Sequence, residues 1–294
     1  MPKPVIKNKV WTVLEILKWT EDHFRSHNIS AARLEAEYLL AYVLNCPRIK
    51  LYTNYDRPVS EAERSQFKLY IKRRLAHEPL QYITQEAYFL GVQFKVDQNV
   101  LIPRPETELL VQKAIELQKQ QGFSRSIDIG TGSGVIAICL AKYLPEISVW
   151  ASDLSHKALA VAEDNTKSLQ LENRINFKQG NLLEPWLSEL KKADNVLFLA
   201  NLPYVRKSEW NDLQPEVRDF EPKEALVSGV DGLDHYKELL EQLKKVEFNY
   251  TLIMELGIQQ ENMLSVMINQ DLGVEKIELI EDLQQKPRFI LLRK

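Results

Sequence analysis

Hydrophobic positions in the first part of the chain recur at the spacing of helices. Between residues 10 and 80 the apolar residues come three or four apart, and no stretch alternates convincingly as a strand does. Ser30 and Ser60 each precede such a stretch, and Glu63 follows Ser60 at capping-box spacing, so both serines are predicted N-caps. The pattern predicts a small helical bundle as a domain over residues 1–84.

The pattern changes near Glu86. The stretch YFLGVQFKVDQNVLI alternates apolar and polar residues around Gly91, which predicts a hairpin. We therefore assign residues 85–103 to a hairpin linker between two domains. Pro103 and Pro105 stiffen the chain that follows, and Pro105 suits the first turn of the next helix.

Short apolar runs alternate with helical stretches after Gly122. The runs that resemble strands are SIDI, SVWAS, INFKQ, NVLFLA, YTLIMEL, VEKIELI and RFILLRK. This alternation predicts an α/β domain over residues 104–294, with a doubly wound, mainly parallel seven-stranded sheet. Only the loop EDLQQKP separates the last two strands, so we expect the sheet to end in an antiparallel pair. Ligands of such sheets bind beyond the carboxyl ends of the strands.

The composition is that of an ordinary folded protein, with 45% hydrophobic and 27% charged residues and a net charge of −3. Residues 1–80 contain 14 Lys and Arg against 9 Asp and Glu, a net +5, which leaves −8 on the rest of the chain. A basic helical segment is more often a solvated face than a surface for RNA or an acidic protein. No long apolar run and no signal-peptide core occur, so we expect a cytoplasmic protein without membrane contact. No metal site is expected, because His23, His27 and His77 lack partners at ligand spacing.

The segment IDIGTGSGV places three glycines between the first strand of the α/β domain and its helix. Gly130, Gly132 and Gly134 allow a tight turn and the close approach of a ligand to the backbone. Asp128 precedes this loop, and Asp153 ends the second strand. A carboxylate at the second position can accept hydrogen bonds from both hydroxyls of a ribose, so the pattern indicates a ligand that contains adenosine.

S-adenosylmethionine fits this loop better than a nicotinamide dinucleotide. The dinucleotide fingerprint is G-x-G-x-x-G, whereas Val135 stands here in place of the third glycine. Asp128 would repel a pyrophosphate but could bind an ammonium group, directly or through water. Asn181 follows the third strand and could read the adenine edge, with Leu182 packed on the ring. A polar turn residue beside a core leucine explains these two positions equally well.

The fourth strand ends in the tetrapeptide NLPY, where Asn201 interrupts an apolar run. Asn201 Oδ1 and the Leu202 carbonyl could each accept one N–H of a planar NH₂ group and hold it in line with a sulfonium methyl. Pro203 would fix the backbone, and Tyr204 would offer a flat face for stacking. The alternative is a strand-ending turn with a proline and a core tyrosine.

Five segments in this order resemble one family. They are LIPRPETE (101–108), DIGTGSGVIAI (128–138), NLPY (201–204), RDFEPKEALVSGVDGLDHY (218–236) and PRFILL (287–292). The chain resembles the bacterial peptide chain release factor glutamine methyltransferases, the PrmC/HemK type, over nearly its whole length. The resemblance implies a class I, Rossmann-like fold that uses S-adenosylmethionine. It also implies methyl transfer to the side-chain amide nitrogen of the glutamine in the GGQ motif of class 1 release factors, with the helical domain docking the substrate.

The resemblance also implies site residues. Those that match the family's cofactor site are Gly130, Thr131, Gly132, Ser133, Gly134 and Asp153. The reasoning from the residues adds Asp128, Asn181, Leu182 and Asn201 to the expected cofactor site. Those expected at the glutamine are Asn201, Leu202, Pro203 and Tyr204, with a ring from Tyr88 or Phe89 close by. Two positions depart from the family pattern: Leu202 replaces the first proline of N-P-P-Y, and Asn181 with Leu182 stands where an acidic residue is often found.

Two other functions remain open at this point. Ribosomal-RNA adenine dimethyltransferases also carry NLPY, and an adenine amine on RNA or DNA presents the same NH₂ geometry. The acidic second domain argues against that function, because an RNA enzyme normally needs a basic surface, and we expect no stable nucleic acid binding. The third possibility is a scaffold that binds the cofactor without turnover.

Overall fold

The computed structural model describes residues 10–190, 195–274, 276–282 and 284–294. The chain divides into two compact units between Thr84 and Gln85. Within the described ranges, no helix is both long enough and apolar enough to cross a membrane.

The first unit is helical. Its helices are α1 (Val13–Ser26), α2 (Ala32–Val43), α3 (Ile49–Thr53), α4 (Glu61–Leu75) and α5 (Leu80–Thr84). Ser60 caps α4 and forms the predicted capping box with Glu63. The N-cap predicted at Ser30 is wrong: Ala31 occupies the cap of α2 without a side-chain hydrogen bond, so Ser30 lies one residue too early to reach the free N–H groups.

The second unit is an α/β domain preceded by a hairpin. Its strands are β1 (Glu86–Phe89), β2 (Val92–Lys95), β3 (Arg125–Ile129), β4 (Ser148–Asp153), β5 (Ile175–Gln179), β6 (Val196–Ala200), β7 (Tyr250–Glu255), β8 (Lys276–Glu281) and β9 (Pro287–Arg293). Its α-helices are α6 (Thr107–Gln121), α7 (Val135–Tyr143), α8 (His156–Ser168), α9 (Pro215–Phe220), α10 (Asp234–Leu243) and α11 (Glu261–Leu272). Short 3-10 helices cover Glu184–Trp186, Lys207–Asp212 and Lys223–Ala225.

Seven strands form one sheet in the order β5-β4-β3-β6-β7-β9-β8. The first five are parallel, and β9 runs antiparallel to both of its neighbours. The doubly wound sheet with an antiparallel end, predicted from the sequence, is confirmed. The chain winds outward in opposite directions from β3 and β6, so these two neighbours mark the point where a ligand crevice forms.

Both faces of the sheet are covered, which explains why β6 reads as an unbroken apolar run. Every residue of β6 is buried. Leu197 and Leu199 pack in one core with α6 and α7, whereas Phe198 and Ala200 pack in another with α10 and α11. Because successive side chains of a strand point to opposite faces, a central strand needs apolar residues at every position.

The hairpin of β1 and β2 packs as part of the second unit. Phe94 belongs to the same core as α6 and α7. Asn165 of α8 accepts a hydrogen bond from the Lys95 N–H at 2.7 Å and donates one to the Lys95 carbonyl at 3.0 Å. Residues 85–103 therefore carry packing contacts of their own within this unit.

Candidate active site

A cavity of about 340 Å³ lies at the carboxyl ends of β3, β4 and β6. It occupies the sheet edge at which the sequence predicted a ligand. Predicted site residues that line it are Gly130, Thr131, Gly132, Ser133, Asp153, Asn181, Leu182, Asn201 and Pro203. Predicted residues that lie outside its lining are Asp128, Gly134, Leu202, Tyr204, Tyr88 and Phe89.

The glycine loop leaves open space at the cavity. The N–H groups of Gly130 and Thr131 both donate to the Ser152 carbonyl at 2.9 Å, which fixes the loop against β4. Gly132 has a φ of 57°, and a Cβ at this residue would meet no atom within 4 Å. The loop therefore presents bare backbone with room for a ligand directly above it.

Gly134 serves packing between helices. Its φ is 84°, and a Cβ here would lie 3.0 Å from the Cβ of Ala162 on α8. The Ser133 carbonyl accepts a hydrogen bond from Asn165 of the same helix at 2.9 Å. The end of the loop is thus held against α8, and the missing side chain of Gly134 permits that close approach.

Asp128 holds the loop from beneath. It is fully buried, and its Oδ2 accepts hydrogen bonds from the Thr131 hydroxyl at 2.6 Å and the Ala137 N–H at 3.1 Å. Burial raises the pKa of Asp128 to about 7, against the lowering effect of these two donors. These bonds give Asp128 a structural task, and its contact with a ligand ammonium, directly or through water, stays a prediction.

Asp153 ends β4 and lines the cavity. Its Oδ2 accepts a hydrogen bond from the Gly132 N–H at 2.9 Å, and its Oδ1 accepts one from the Ser155 N–H at 2.8 Å. Burial raises the pKa of Asp153, and the two N–H donors oppose that rise. Each oxygen keeps acceptor capacity, so the carboxylate is held in place with room for two hydroxyl donors.

Asn181 and Leu182 follow β5 and line the cavity. The Asn181 amino group donates to Glu238 of α10, so the amide oxygen is the end that this side chain can present to a ligand. Leu182 adopts a φ of 50°, and its carbonyl accepts a hydrogen bond from the Ser152 hydroxyl at 2.6 Å. The Leu182 side chain joins the core beside α10 and contributes an apolar wall.

The Asn201 amide is fixed by its amino end. Asn201 Nδ2 donates to Thr107 Oγ1 at 3.0 Å. Within the described ranges, neither Asn201 Oδ1 nor the Leu202 carbonyl accepts a hydrogen bond from protein. The Leu202 side chain is buried, so the residue that replaces the family proline packs into the core while its backbone stays at the site.

Tyr204 lies behind Pro203 rather than at the cavity wall. Its hydroxyl donates to Glu255 at 3.5 Å and accepts a hydrogen bond from Arg288 at 3.3 Å. Burial raises the pKa of Tyr204 to about 12, so the phenol stays protonated. The Tyr204 ring packs against the core and Pro203 lines the cavity, and stacking of Tyr204 on a substrate stays a prediction.

Neither hairpin ring lines the cavity. Phe89 is 1% exposed and packs edge-to-face against Phe94, with ring centroids 6.4 Å apart. Tyr88 precedes it on the strand and is 61% exposed. Strand alternation turns one ring into the core and the other outward, and a role for Tyr88 or Phe89 near the substrate stays a prediction.

Sequence reasoning assigned no role to several residues that line the cavity. These are Asn99, Val100, Leu101, Pro103, Arg104, Thr107, Pro222, Glu224, Ala225 and His235. An ion pair of 2.7 Å joins Arg104 to the buried Glu221, which also accepts the Ile102 N–H at 3.0 Å. The sequence did mark these positions, because most of these residues belong to two segments that resemble the family, LIPRPETE and RDFEPKEALVSGVDGLDHY. Folding brings the two segments together.

His235 is fixed at its Nδ1. The Ser228 hydroxyl lies 2.7 Å from that nitrogen, and its oxygen also accepts a hydrogen bond from the main-chain N–H of His235 at 3.0 Å. Burial lowers the pKa of His235, so the ring is neutral at physiological pH. The imidazole is therefore a wall residue with a defined orientation.

Comparison with known proteins places both units in one family. A family model described as the PrmC N-terminal domain matches residues 15–84, and one described as the Methyltransferase small domain matches residues 105–212. The release factor glutamine methyltransferase of Rhodopirellula baltica is 37% identical over 289 residues, which cover 97% of each chain. The chain belongs to this family.

Two further members support the assignment of this methyltransferase. The release factor glutamine methyltransferase of Chlorobaculum tepidum is 40% identical over 238 residues, covering 79% of this chain and 81% of its own. The release factor glutamine methyltransferase of Bacillus subtilis is 36% identical over 286 residues, covering 95% of this chain and 96% of its own. The resemblance inferred from the five segments is confirmed.

A solved structure supports the fold of the methyltransferase. The hMettl16 catalytic domain, in complex with a MAT2A 3′UTR hairpin, matches with a TM-score of 0.54 at 16% identity. The match covers 81% of this chain and 84% of that chain. At this level of identity the likeness concerns the fold alone.

Proposed function

We propose that this chain transfers a methyl group from S-adenosylmethionine to the side-chain amide nitrogen of the glutamine in the GGQ motif of class 1 peptide chain release factors. Membership of the family supports this function over almost the full length of the chain. The structural observation that carries it is the Asn201 amide, whose amino end is bonded to Thr107 while its oxygen is left for a ligand at the cavity.

The residues present fit the cofactor. Gly132 leaves space that a side chain would fill, and Asp153 offers two anchored acceptor oxygens to the hydroxyls of a ribose. Asn181 and Leu182 supply an amide oxygen and an apolar wall near the adenine position. S-adenosylmethionine supplies an electrophilic methyl carbon bonded to a positively charged sulfur.

Asn201 and Leu202 act on the glutamine. An amide nitrogen is a poor nucleophile because its lone pair is delocalised into the carbonyl. Asn201 Oδ1 and the Leu202 carbonyl accept its two N–H groups, which orients the nitrogen and stabilises the positive charge that grows on it. Pro203 restricts the backbone that aims the carbonyl.

The displacement balances without a strong base. The nitrogen–carbon bond forms while the sulfur–carbon bond breaks, and the electron pair of that bond stays on sulfur. The methylated amide nitrogen is then strongly acidic and gives its proton to water. The positioned oxygens contribute through geometry and charge, since neither needs to take the proton.

The first unit is proposed to dock the release factor. Its helix α2 carries Leu34, Tyr38 and Tyr42 four residues apart, and all three side chains are exposed. Tyr38→Glu should raise the KM for the release factor and leave kcat unchanged, and an unchanged KM would count against this surface.

A cytoplasmic location, where release factors act, and the absence of stable nucleic acid binding remain predictions.

Transfer of labelled methyl groups tests the function. The protein is incubated with labelled S-adenosylmethionine and a class 1 release factor, with a factor whose GGQ glutamine is changed to alanine as the matched control. Label is expected in the first factor alone. Label that enters only ribosomal RNA or DNA would favour the adenine enzyme, and label in no substrate would favour the scaffold, so either result overturns the proposal.

A further inference from the structure

Two buried residues behind Asn201 form a chain of hydrogen bonds with it. Asn201 Nδ2 donates to Thr107 Oγ1 at 3.0 Å, and that hydroxyl donates to Glu255 Oε2 at 2.7 Å. Thr107 is 2% exposed and Glu255 is not exposed at all. The three residues come from the start of α6, the end of β7 and the residue after β6, so the fold brings together positions far apart in sequence.

The threonine hydroxyl makes this chain directional. A hydroxyl has one hydrogen, and here it is given to a carboxylate, which only accepts. The Thr107 oxygen must therefore accept from Asn201, and only the amino end of the amide can donate. As a result, Asn201 Oδ1 is turned away from Thr107, to the side where a substrate N–H needs an acceptor.

The second carboxylate oxygen of Glu255 is anchored as well. Arg288 lies 3.3 Å from Glu255 Oε1, and the Tyr204 hydroxyl donates to the same oxygen at 3.5 Å. Arg288 also donates to the Tyr204 hydroxyl at 3.3 Å. A cation and a phenol therefore hold the carboxylate on the side opposite Thr107, and they connect it to the last residue of the NLPY tetrapeptide.

We propose that Thr107 and Glu255 are positioning residues, which hold the Asn201 amide with its oxygen toward the substrate. This inference rests on the proposed function, because it concerns the acceptor that grips the glutamine. Without the directional bond, the amide can rotate by half a turn and present its NH₂ group instead. Two NH₂ groups would then face each other, and the substrate nitrogen would lose its acceptor.

Acid should disrupt the same bond. The groups that face Glu255 are Arg288 of β9, Tyr204 after β6, Thr107 and Glu106 at the start of α6, and Tyr236 of α10, whose hydroxyl donates to the main-chain carbonyl at 2.7 Å. Burial raises the pKa of Glu255 despite the opposing effects of Thr107 and Arg288. A protonated Glu255 can donate to Thr107, whose own hydrogen is then free for Asn201. The Asn201 amide can rotate by half a turn and accept that hydrogen with Oδ1, which takes the oxygen away from the substrate. The rate should therefore fall as the pH falls through this raised pKa.

Threonine variants test the bond. Thr107→Val should lower kcat by about 10-fold or more, because a misplaced Asn201 Oδ1 no longer orients the substrate amide nitrogen. Cofactor affinity measured by calorimetry should stay the same. Thr107→Ser keeps the hydroxyl and should restore kcat to within about 3-fold. Thr251→Val on β7 is the matched control: Thr251 is also a buried threonine, and its hydroxyl donates to Gln121 at 3.2 Å.

Glu255→Gln tests the other end without touching the cavity lining. A glutamine can donate to Thr107 as well as accept, so kcat should fall and the acid limb of the pH–rate profile should disappear. A Thr107→Val enzyme with wild-type kcat would overturn the proposal. Equal losses in Thr107→Val and Thr107→Ser, or an equal loss in Thr251→Val, would also overturn it.

Asn201→Ala, measured in parallel, separates this inference from the proposed function. If Asn201→Ala is slow while Thr107→Val and Glu255→Gln keep the wild-type rate and pH profile, the positioning role fails and the function stands. If Asn201→Ala also keeps the wild-type rate, the Asn201 amide does not hold the glutamine, and the positioning role of Thr107 and Glu255 fails with it.

Discussion

The two ends of the Asn201 side chain have different partners, and this difference gives the residue its proposed role. Its amino group is bonded to Thr107, whereas its oxygen is left for a ligand. The sequence predicted the oxygen as an acceptor from the position of Asn201 after β6. It could not predict the partner of the amino group, because Thr107 and Asn201 are 94 positions apart in sequence and only the fold brings them together.

The glycines of the loop also differ residue by residue. Gly132 and Gly134 both have a positive φ, but a Cβ would meet open space at Gly132 and the Ala162 Cβ at 3.0 Å at Gly134. Gly132→Ala should cost about 1 kcal/mol of unfolding free energy from backbone strain. Gly134→Ala should cost roughly 2–4 kcal/mol, because overpacking against α8 adds to that strain.

Chemical denaturation of the two variants measures this difference, and calorimetry with S-adenosylmethionine supplies the second readout. Gly132→Ala should lose cofactor affinity, since its methyl group enters the ligand space. Equal losses of stability in the two variants would contradict the packing role of Gly134.

At the scale of elements, local patterns predicted most of the second unit. All seven strands of the sheet and its antiparallel end follow from short runs rich in apolar residues. The runs are unbroken in the central strands β6 and β7, because buried central strands need apolar residues on both faces. The lining contributed by Arg104, Pro222 and His235 could not be predicted in that way. Their segments lack periodicity, and tertiary contacts such as the Arg104–Glu221 ion pair decide where they lie.

Helix caps give an element-scale test in the first unit. Ser60 accepts the Glu63 N–H as the cap of α4, whereas Ser30 lies upstream of the Ala31 cap of α2. Ser60→Ala should therefore lower the free energy of unfolding by about 1 kcal/mol. Ser30→Ala is the matched control and should change it by less than about 0.5 kcal/mol. Thermal or chemical unfolding of the first unit measures both, and an equal loss in Ser30→Ala would contradict the assigned caps.

At the scale of the whole molecule, buried acids make folding stability depend on pH. The pKa of Asp128 is about 7 in the folded chain against an ordinary value of 3.8. Well below pH 3.8 the group is protonated in both states and its contribution is fully present. As the pH rises from 4 to 7, the unfolded chain releases the proton first, so this contribution is lost, and above pH 7 it changes no further.

Asp128→Asn should remove that part of the pH dependence. The wild-type protein should lose up to about 4 kcal/mol more stability than the variant between pH 4 and pH 7. Asp164→Asn is the control, because Asp164 is exposed and Lys95 lowers its pKa, so its contribution is lost only at more acidic pH. Denaturation curves across this range measure the slopes, and parallel slopes for Asp128→Asn and wild type would refute the assignment.

The central claim is that the Asn201 oxygen holds the glutamine amide beside the methyl donor. The most direct measurement is the single-turnover rate of methyl transfer to a class 1 release factor by Asn201→Ala, with both substrates saturating. We predict a rate about 100-fold below wild type, with cofactor affinity nearly unchanged, as expected for the loss of one positioned polar group. A wild-type rate in this variant would contradict the claim.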